Sequence, residues 1–329
     1  VLVRRFVYVE PVVRNLGRAS SVAAGILSSR ILGFVRQALI GSFFGVGRHA
    51  DVLAMAFRGP NLLQNLLGEQ TLSASFIPIY TRMREEGREE EARRFAGGVF
   101  GLLLAVAGGI ALFGILLAEP FVAVVAPGFL GDATQVAAGN QSVDRYRLAV
   151  RAVRFMFPMT ALLVLAAWTL GVLNSHRKFF LPYVSPVFWN ASIITALVAY
   201  RPGSGGEGDG LDRLLFAVCA GAVVGGSLQF LVQLPSAIRQ LGGLRPALSL
   251  NVPGVREALR AFGPLIAGRG VVQLSSYLDI VLASLLTAGA VSCLGYGQTL
   301  YVLPISLFAM SVAATTLPEL SREGGSEDR

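Results

Sequence analysis

Two arginines six residues apart, Arg30 and Arg36 in SSRILGFVRQALIG, stand inside an otherwise apolar stretch. On a helix turning about 100° per residue they lie about 120° apart, and at about 1.5 Å per residue about 9 Å apart along the axis, so they share a broad face. Snorkelling to the nearer interface suits one of them better than both. A second stretch, DVLAMAFRGPNLLQNLLGEQTLSASF, sets Arg58, Asn61, Asn65 and Glu69 at the spacing of one helical face, and Asp51 extends the stripe. Leu53, Phe57, Leu63 and Leu67 fall opposite, so one side of this helix would line a wet cavity and the other would meet lipid or other helices. Gly59-Pro60 frees carbonyls and is expected to bend the helix at the level of Arg58. A third stretch, GRGVVQLSSYLDIVLASLL, adds Arg269, Gln273, Ser275, Ser276 and Asp279.

Arg30, Arg36, Arg58 and Arg269 outnumber Asp51, Glu69 and Asp279, and a cationic excess at this depth favours an anionic ligand. A guanidinium suits phosphate: its planar fork donates two parallel bonds and keeps its proton in a dry site. The candidate substrate-binding residues are therefore Arg30, Arg36, Arg58, Asn61 and Arg269, and the candidate gating or ion-coupling residues are Asp51, Glu69 and Asp279. A plainer reading has Arg58 and Glu69 pair with charges on neighbouring helices and hold the bundle together. An Arg269 paired with Glu69 or Asp51 would serve structure and gating equally.

The elements that must position these residues follow from composition. Of 329 residues, 53% are hydrophobic and 15% charged, with a mean hydropathy of +0.61, whereas a soluble domain carries about a quarter charged residues. Apolar stretches of roughly 20 residues recur along nearly the whole length, and lipid forces each to satisfy its own backbone as a helix. Alternation with a period of two residues is missing, which excludes a closed β-barrel. Eight spans are expected, near 21–45, 51–80, 96–119, 148–173, 179–200, 214–236, 258–286 and 290–317. The fold class is all-α, a polytopic membrane helical bundle of about eight transmembrane helices.

Arginines crowd the N-terminus (Arg4, Arg5, Arg14, Arg18), the loop after the second span (Arg82, Arg84, Arg88, Arg93, Arg94) and the loop after the sixth (Arg239, Arg245, Arg256, Arg260). The positive-inside rule makes those segments, and both termini, cytoplasmic. The net charge of +8 is thus a matter of topology, and nucleic acid is not an expected partner. A weak internal echo joins SFFGVG at 42–47 and IPIYTR at 77–82 to SLLTAG at 284–289 and LPELSR at 317–322, the mark of a transporter built from two related bundles.

Enzyme chemistry finds no support. Cys219 and Cys293 fall in expected spans and form no metal motif, His49 and His176 read as isolated loop residues, and the acidic run 89–91 reads as a solvated face. No metal or cofactor is expected, and the brief apolar run at the N-terminus is too short for a signal peptide.

At these residues the chain resembles the MurJ (MviN) family of lipid II flippases, in the multidrug/oligosaccharidyl-lipid/polysaccharide exporter superfamily. The segment SRILGFVRQALIGSFFGVGRHADVLAMAFRGPNLLQNLLGEQTLSASFIPIYTRM is similar to the family's first two helices, and APGF, LNSHRKFFLPYVSPVFWN and GGSLQFLVQLP to its later markers. The resemblance implies two lobes around a cationic cavity in the bacterial cytoplasmic membrane, carrying an undecaprenyl-diphosphate-linked peptidoglycan precursor outward by alternating access. By position, Arg30, Arg36 and Asp51 correspond to the family's two first-helix arginines and second-helix acid, and Glu69 to its acid in that segment. Gln64 stands where the family often has an arginine, and another family arginine is replaced near Gln298 or Thr299; Arg269 would return cationic charge from the seventh span. Members are longer than this chain. The expected divisions are a cytoplasmic segment 1–20, a first six-helix lobe 21–240, the opening two helices of a second lobe 241–318, and a cytoplasmic tail 319–329. The partners implied are a lipid-linked diphosphate, membrane lipid, a monovalent cation or the membrane potential, and a partner supplying missing helices. Two alternatives stand beside the flippase: a truncated scaffold that moves no lipid, and an exporter of another polyprenyl-diphosphate-linked sugar.

Overall fold

The structure, a computed structural model, describes residues 24–201, 209–302 and 304. The segment 1–20 with its four arginines, most of the loop 201–210, the end of the eighth expected span, LPELSR and the tail 319–329 lie outside the described residues.

Every regular element among the described residues is helical. In chain order they are α1 (24–44), α2 (Arg48–Leu67), α3 (Glu69–Glu85), α4 (Glu89–Leu116), α5 (Ala118–Val125), a 3₁₀ turn (Pro127–Phe129) and α6 (Asp132–Ala137). Then follow α7 (Arg145–Ser175), α8 (Phe180–Val184), α9 (Pro186–Ala199), α10 (Asp209–Leu241), α11 (Val255–Ser284) and α12 (290–302). By length and composition five of these can cross a membrane: α4, α7, the α8–α9 pair, α10 and α11, or six if α5 and the following 127–137 segment, bent by 102°, count as one. The arginine-bearing α1 and the polar α2 are outside that set because the side chains that suit them to a cavity lower their apolar character, and α3, of 17 residues, is too short.

Two expectations need correcting. The second span is not one helix from 51 to 80: the chain breaks at Gly68 between α2 and α3. Pro60, expected to bend it, lies inside α2. A Cβ on Gly68 would sit 2.0 Å from the Gln64 carbonyl oxygen, so the break needs a residue without a side chain. His49 and His176 are likewise not isolated: His49 is buried on α2 and meets Asp212 at 2.9 Å, and His176 caps α7 and meets the Tyr80 hydroxyl at 2.9 Å.

The bundle is organised around α7, which packs against α2, α3, α4 and α10. Its most apolar stretch has a mean hydropathy of 2.0 and is 83% buried inside the protein, whereas the corresponding stretch of α11 is 6% buried. Two apolar cores lie along α7. One gathers Leu53, Met55, Phe129, Met156 and Ile193, and the other Phe76, Tyr80, Phe95, Trp168 and Leu173. On α4 two glycines admit a neighbouring backbone: Cβ atoms at Gly97 and Gly101 would meet the carbonyl oxygens of Arg245 and Ala247 at 2.2 and 2.4 Å, and Ala247 N–H donates to the Gly97 carbonyl at 3.2 Å. This contact brings the two basic loops to one end of the bundle, where Arg82 also pairs with Glu257 at 2.8 Å. At that end Glu91, in the first turn of α4, accepts from Arg88, which holds its carboxyl below the usual carboxylate range.

Substituting alanine for Gly97 or Gly101 is expected to push the 245–247 segment off α4 and lower stability by about 1–3 kcal/mol. The same change at Gly108 or Gly109, which meet nothing within 4 Å, is expected to leave it unchanged or raised. Thermal midpoints of the four variants in detergent decide this, and equal midpoints would refute the close-approach account.

Candidate functional site

Two joined cavities run along one flank of α1, of about 470 and about 510 Å³, and Arg30, Gly33, Arg36 and Trp189 line both. The first is closed further by Phe57, Arg58 and Asn61 of α2 and by Ser292, Tyr296 and Gln298 of α12. The second takes Gln64 and Asn65 from α2, Glu69 and Gln70 from α3, Asn190 from α9, Gln229 and Gln233 from α10, and Arg269 from α11. The first is thus a cationic chamber and the second an amide-rich one, with the arginines of α1 on the wall they share.

The polar residues of α2 are divided between the two cavities. Arg58 and Asn61 face the first cavity and Asn65 the second, while Glu69, beyond the Gly68 break, opens α3 and still lines the second cavity. Leu53 and Phe57, expected on the opposite face, also line the first cavity.

None of the four cavity arginines has a carboxylate partner among the described residues. Arg36 donates to the Asn190 amide oxygen at 3.0 Å and lies over the Trp189 ring at 4.6 Å. Arg58 donates to Ser276 Oγ and Gln298 Oε1, each at 3.2 Å, and its carbonyl accepts from the Tyr277 hydroxyl at 2.9 Å. Arg269 donates to the Gln70 amide oxygen and, at 3.5 Å, to the Asn65 carbonyl, not to Glu69 or Asp51. Neutral partners orient these guanidinium groups without neutralising them. Their positive charge stays available to an anion.

Two of the three singled-out acids lie elsewhere. Asp51 is fully buried outside both cavities, accepting from the backbone N–H groups of Gly289 at 2.7 Å and Ser292 at 2.8 Å and from Arg145 at 3.4 Å. It caps the start of α12, where an anion is favoured by the unpaired amides and the helix dipole. Arg145 in turn grips Asp132 through its Nε at 2.6 Å and its Nη2 at 3.0 Å. Asp279 is exposed on α11, outside both cavity walls and without a hydrogen bond or ion pair among the described residues.

Trp189, Asn190, Arg145 and Asp132 escaped the reading of the sequence. Trp189 and Asn190 sit at the end of the segment LNSHRKFFLPYVSPVFWN, which marked them by position only. The distance between Asp51 and Arg145 along the chain hid their pairing.

The chain matches the family model described as "Lipid II flippase MurJ" over residues 40–329. It belongs to the MurJ family. Among MurJ relatives, the lipid II flippase MurJ of Burkholderia cenocepacia is 32% identical over 313 residues, 94% of this chain and 57% of that protein. The probable lipid II flippase MurJ of Rhizobium tropici is 34% identical, over 92% of this chain and 54% of that protein. A solved lipid II flippase MurJ in an inward closed conformation has the same fold, with a TM-score of 0.69 at 23% identity, covering 92% of this chain and 59% of that one. The chain therefore spans little more than half the length of the MurJ relatives it matches. MurJ proteins are multi-pass membrane transporters, not enzymes.

Replacing Asp51 with alanine strands the two amides of Gly289 and Ser292, each at about 1–3 kcal/mol for an unmet buried donor, while Arg145 keeps Asp132. Hydrogen exchange at Gly289–Ser292 is expected to quicken markedly in Asp51→Ala and less in Asp51→Asn, which keeps an acceptor. Unchanged exchange in both would show that α12 is held by other contacts.

Proposed function

We propose that this chain carries the anion-binding part of a flippase for a polyprenyl-diphosphate-linked peptidoglycan precursor, of the lipid II class. One observation carries the reading: Arg30, Arg36, Arg58 and Arg269 line two joined cavities with no carboxylate partner among the described residues. A guanidinium at bilayer depth is unfavourable by at least about 2.5 kcal/mol on insertion scales, so four of them around a cavity are retained for a ligand that uses them. A diphosphate offers oxygens to several forks at once. The amide-rich second cavity presents donors and acceptors suited to sugar hydroxyls. A scaffold that moves no lipid would make no use of this charge.

The cycle we assign is alternating access across eight membrane passes, with both termini and the basic loops on the cytoplasmic side. In this arrangement residues 21–240 form the first lobe, and α11 and α12 open the second. At the basic end Arg82 and Glu257 form an ion pair whose side chains are both 52% exposed, beside the 245–247 segment seated on α4 and the buried Val255 and Ala258 packed into the core of Phe76 and Phe95. The opposite end is sealed by the buried Asp51 cap. Diphosphate entering the first cavity competes with Ser276 and Gln298 for Arg58, loosening the link to α11 and α12. Glu69, exposed in the second cavity, is the acid placed to exchange a proton or bind a monovalent cation during the return.

Undecaprenyl diphosphate binding to the purified chain in detergent tests this. Arg36→Ala is expected to weaken binding at least about thirtyfold, the loss of a charge-assisted bidentate contact, and Glu91→Gln, in the first turn of α4 and outside both cavities, to leave it unchanged. A folded parent chain with no affinity for the diphosphate would remove the proposal.

A further inference from the structure

A third cavity, of about 870 Å³, is an open groove where α9 packs on α10, and it shares no residue with the two arginine-lined chambers. Small side chains make its floor: Ala191 and Ala196 from α9, Ala217 and Ala220 from α10. Gly221 lets the two helices touch, since a Cβ there would come within 2.9 Å of the Ser192 carbonyl oxygen. Phe188, Val224 and Leu228 line the groove and are exposed. From Phe188 to Tyr200 it follows α9 for about 18 Å at about 1.5 Å per residue. One end is charged. There Arg151 of α7 lies over the Phe216 ring at 4.9 Å, beside Arg213 near the start of α10. Both arginines are exposed, and neither forms an ion pair among the described residues. A polar notch of about 390 Å³ continues from this end, sharing Arg151 and Asp212 with the groove and adding Asp144 and Arg147. Its two acids are in use: Asp212 meets His49 at 2.9 Å, and Asp144 accepts from the Arg147 backbone N–H at 3.0 Å.

We propose that this groove binds an anionic phospholipid, with one acyl chain along the alanine floor and the phosphate held by Arg151 and Arg213. The charged end fits an anion, because three arginines there face two carboxylates that are already engaged, and a guanidinium fork suits phosphate. Depth fits a lipid of one leaflet. A helix crossing the membrane needs contact over a hydrocarbon core about 30 Å thick, whereas a groove of about 18 Å ends little past the midplane, where an acyl chain also ends. The charged end lies at the start of α7 and α10, and α10 runs from it to Leu241, next to the basic segment seated on α4. With the topology assigned above, the lipid therefore belongs to the periplasmic leaflet. The site otherwise stands apart from the diphosphate reading, and no residue of α11 or α12 lines it. A lipid held there would fill the seam between α9 and α10 and tie both to Arg151 of the central helix.

The test offers the whole chain in detergent either dioleoyl phosphatidylglycerol or dioleoyl phosphatidylcholine, which share their tails, and counts bound lipid by native mass spectrometry. The parent is expected to hold one phosphatidylglycerol in preference to phosphatidylcholine. The double variant Arg151→Gln/Arg213→Gln is expected to lose that preference, with phosphatidylglycerol affinity down at least about tenfold. Ala220→Leu, which fills the floor, is expected to weaken both lipids. Thermal midpoints confirm folding, and the arginine variant, altered only at exposed side chains, decides the matter if Ala220→Leu does not fold. A parent indifferent to headgroup, or a folded arginine variant that keeps the parent's preference, overturns the proposal. Undecaprenyl diphosphate displacing phosphatidylglycerol one for one would assign the groove to a polyprenyl tail and overturn it too, as would a dimer whose formation expels the lipid. A parent that shows the expected lipid pattern but no affinity for undecaprenyl diphosphate upholds this site and removes the flippase reading.

Discussion

The structure depends on keeping uncompensated guanidinium groups inside a bundle whose outer solvent is lipid. Two simpler arrangements fail: exposure to lipid strands the charge, and a carboxylate partner would cancel it. The observed solution is to orient three of the four arginines with neutral groups. Amide oxygens, a serine hydroxyl, a backbone carbonyl and an indole face hold Arg36, Arg58 and Arg269 in place. The polar stripe of α2 and the amides of α3, α9 and α10 follow from that need, and the apolar cores along α7 give these helices a rigid backing.

The two ends of the bundle are closed by different physics. At the basic end a screened, exposed ion pair between α3 and α11 lies beside an apolar contact of Val255 and Ala258 with the α3–α4 core. The cap on α12 combines a buried carboxylate, two backbone donors and an arginine itself gripped by Asp132, so no member can leave without exposing the rest. The turns that meet there are close: a Cβ at Gly289, whose φ is +95°, would come within 2.6 Å of Val46, and Tyr296 donates to the Gly45 carbonyl at 2.9 Å. These are the SFFGVG and SLLTAG turns, so the sequence echo places like elements against each other.

Periodicity made much of this legible. The helical class, the polar face of α2 and the arginines of α1 could be read from spacing, because a helix projects its face directly onto sequence intervals. What could not be read was anything that depends on which helix lies beside which. Asp51 looked like part of a cavity stripe, yet it is 94 residues from the arginine it meets and 238 from the amide it caps. Gly59-Pro60 looked like the break, since proline is the usual offender, but α2 absorbs Pro60 and the chain turns at Gly68. Trp189 carried no signal at all, because a tryptophan in an apolar segment is ordinary until an arginine is found stacked on it.

The burial of α7 has a bearing on how the protein is made. In the finished bundle this helix is surrounded by other helices and meets little lipid, so the bilayer does not require it to be so apolar. Packing alone would accept a more mixed sequence. A nascent chain, however, delivers its segments to the bilayer one after another, and α7 must enter before α10 arrives to enclose it. Its hydropathy is then a trace of that earlier moment, when the segment faced lipid by itself, and the final structure keeps a record of its own order of assembly.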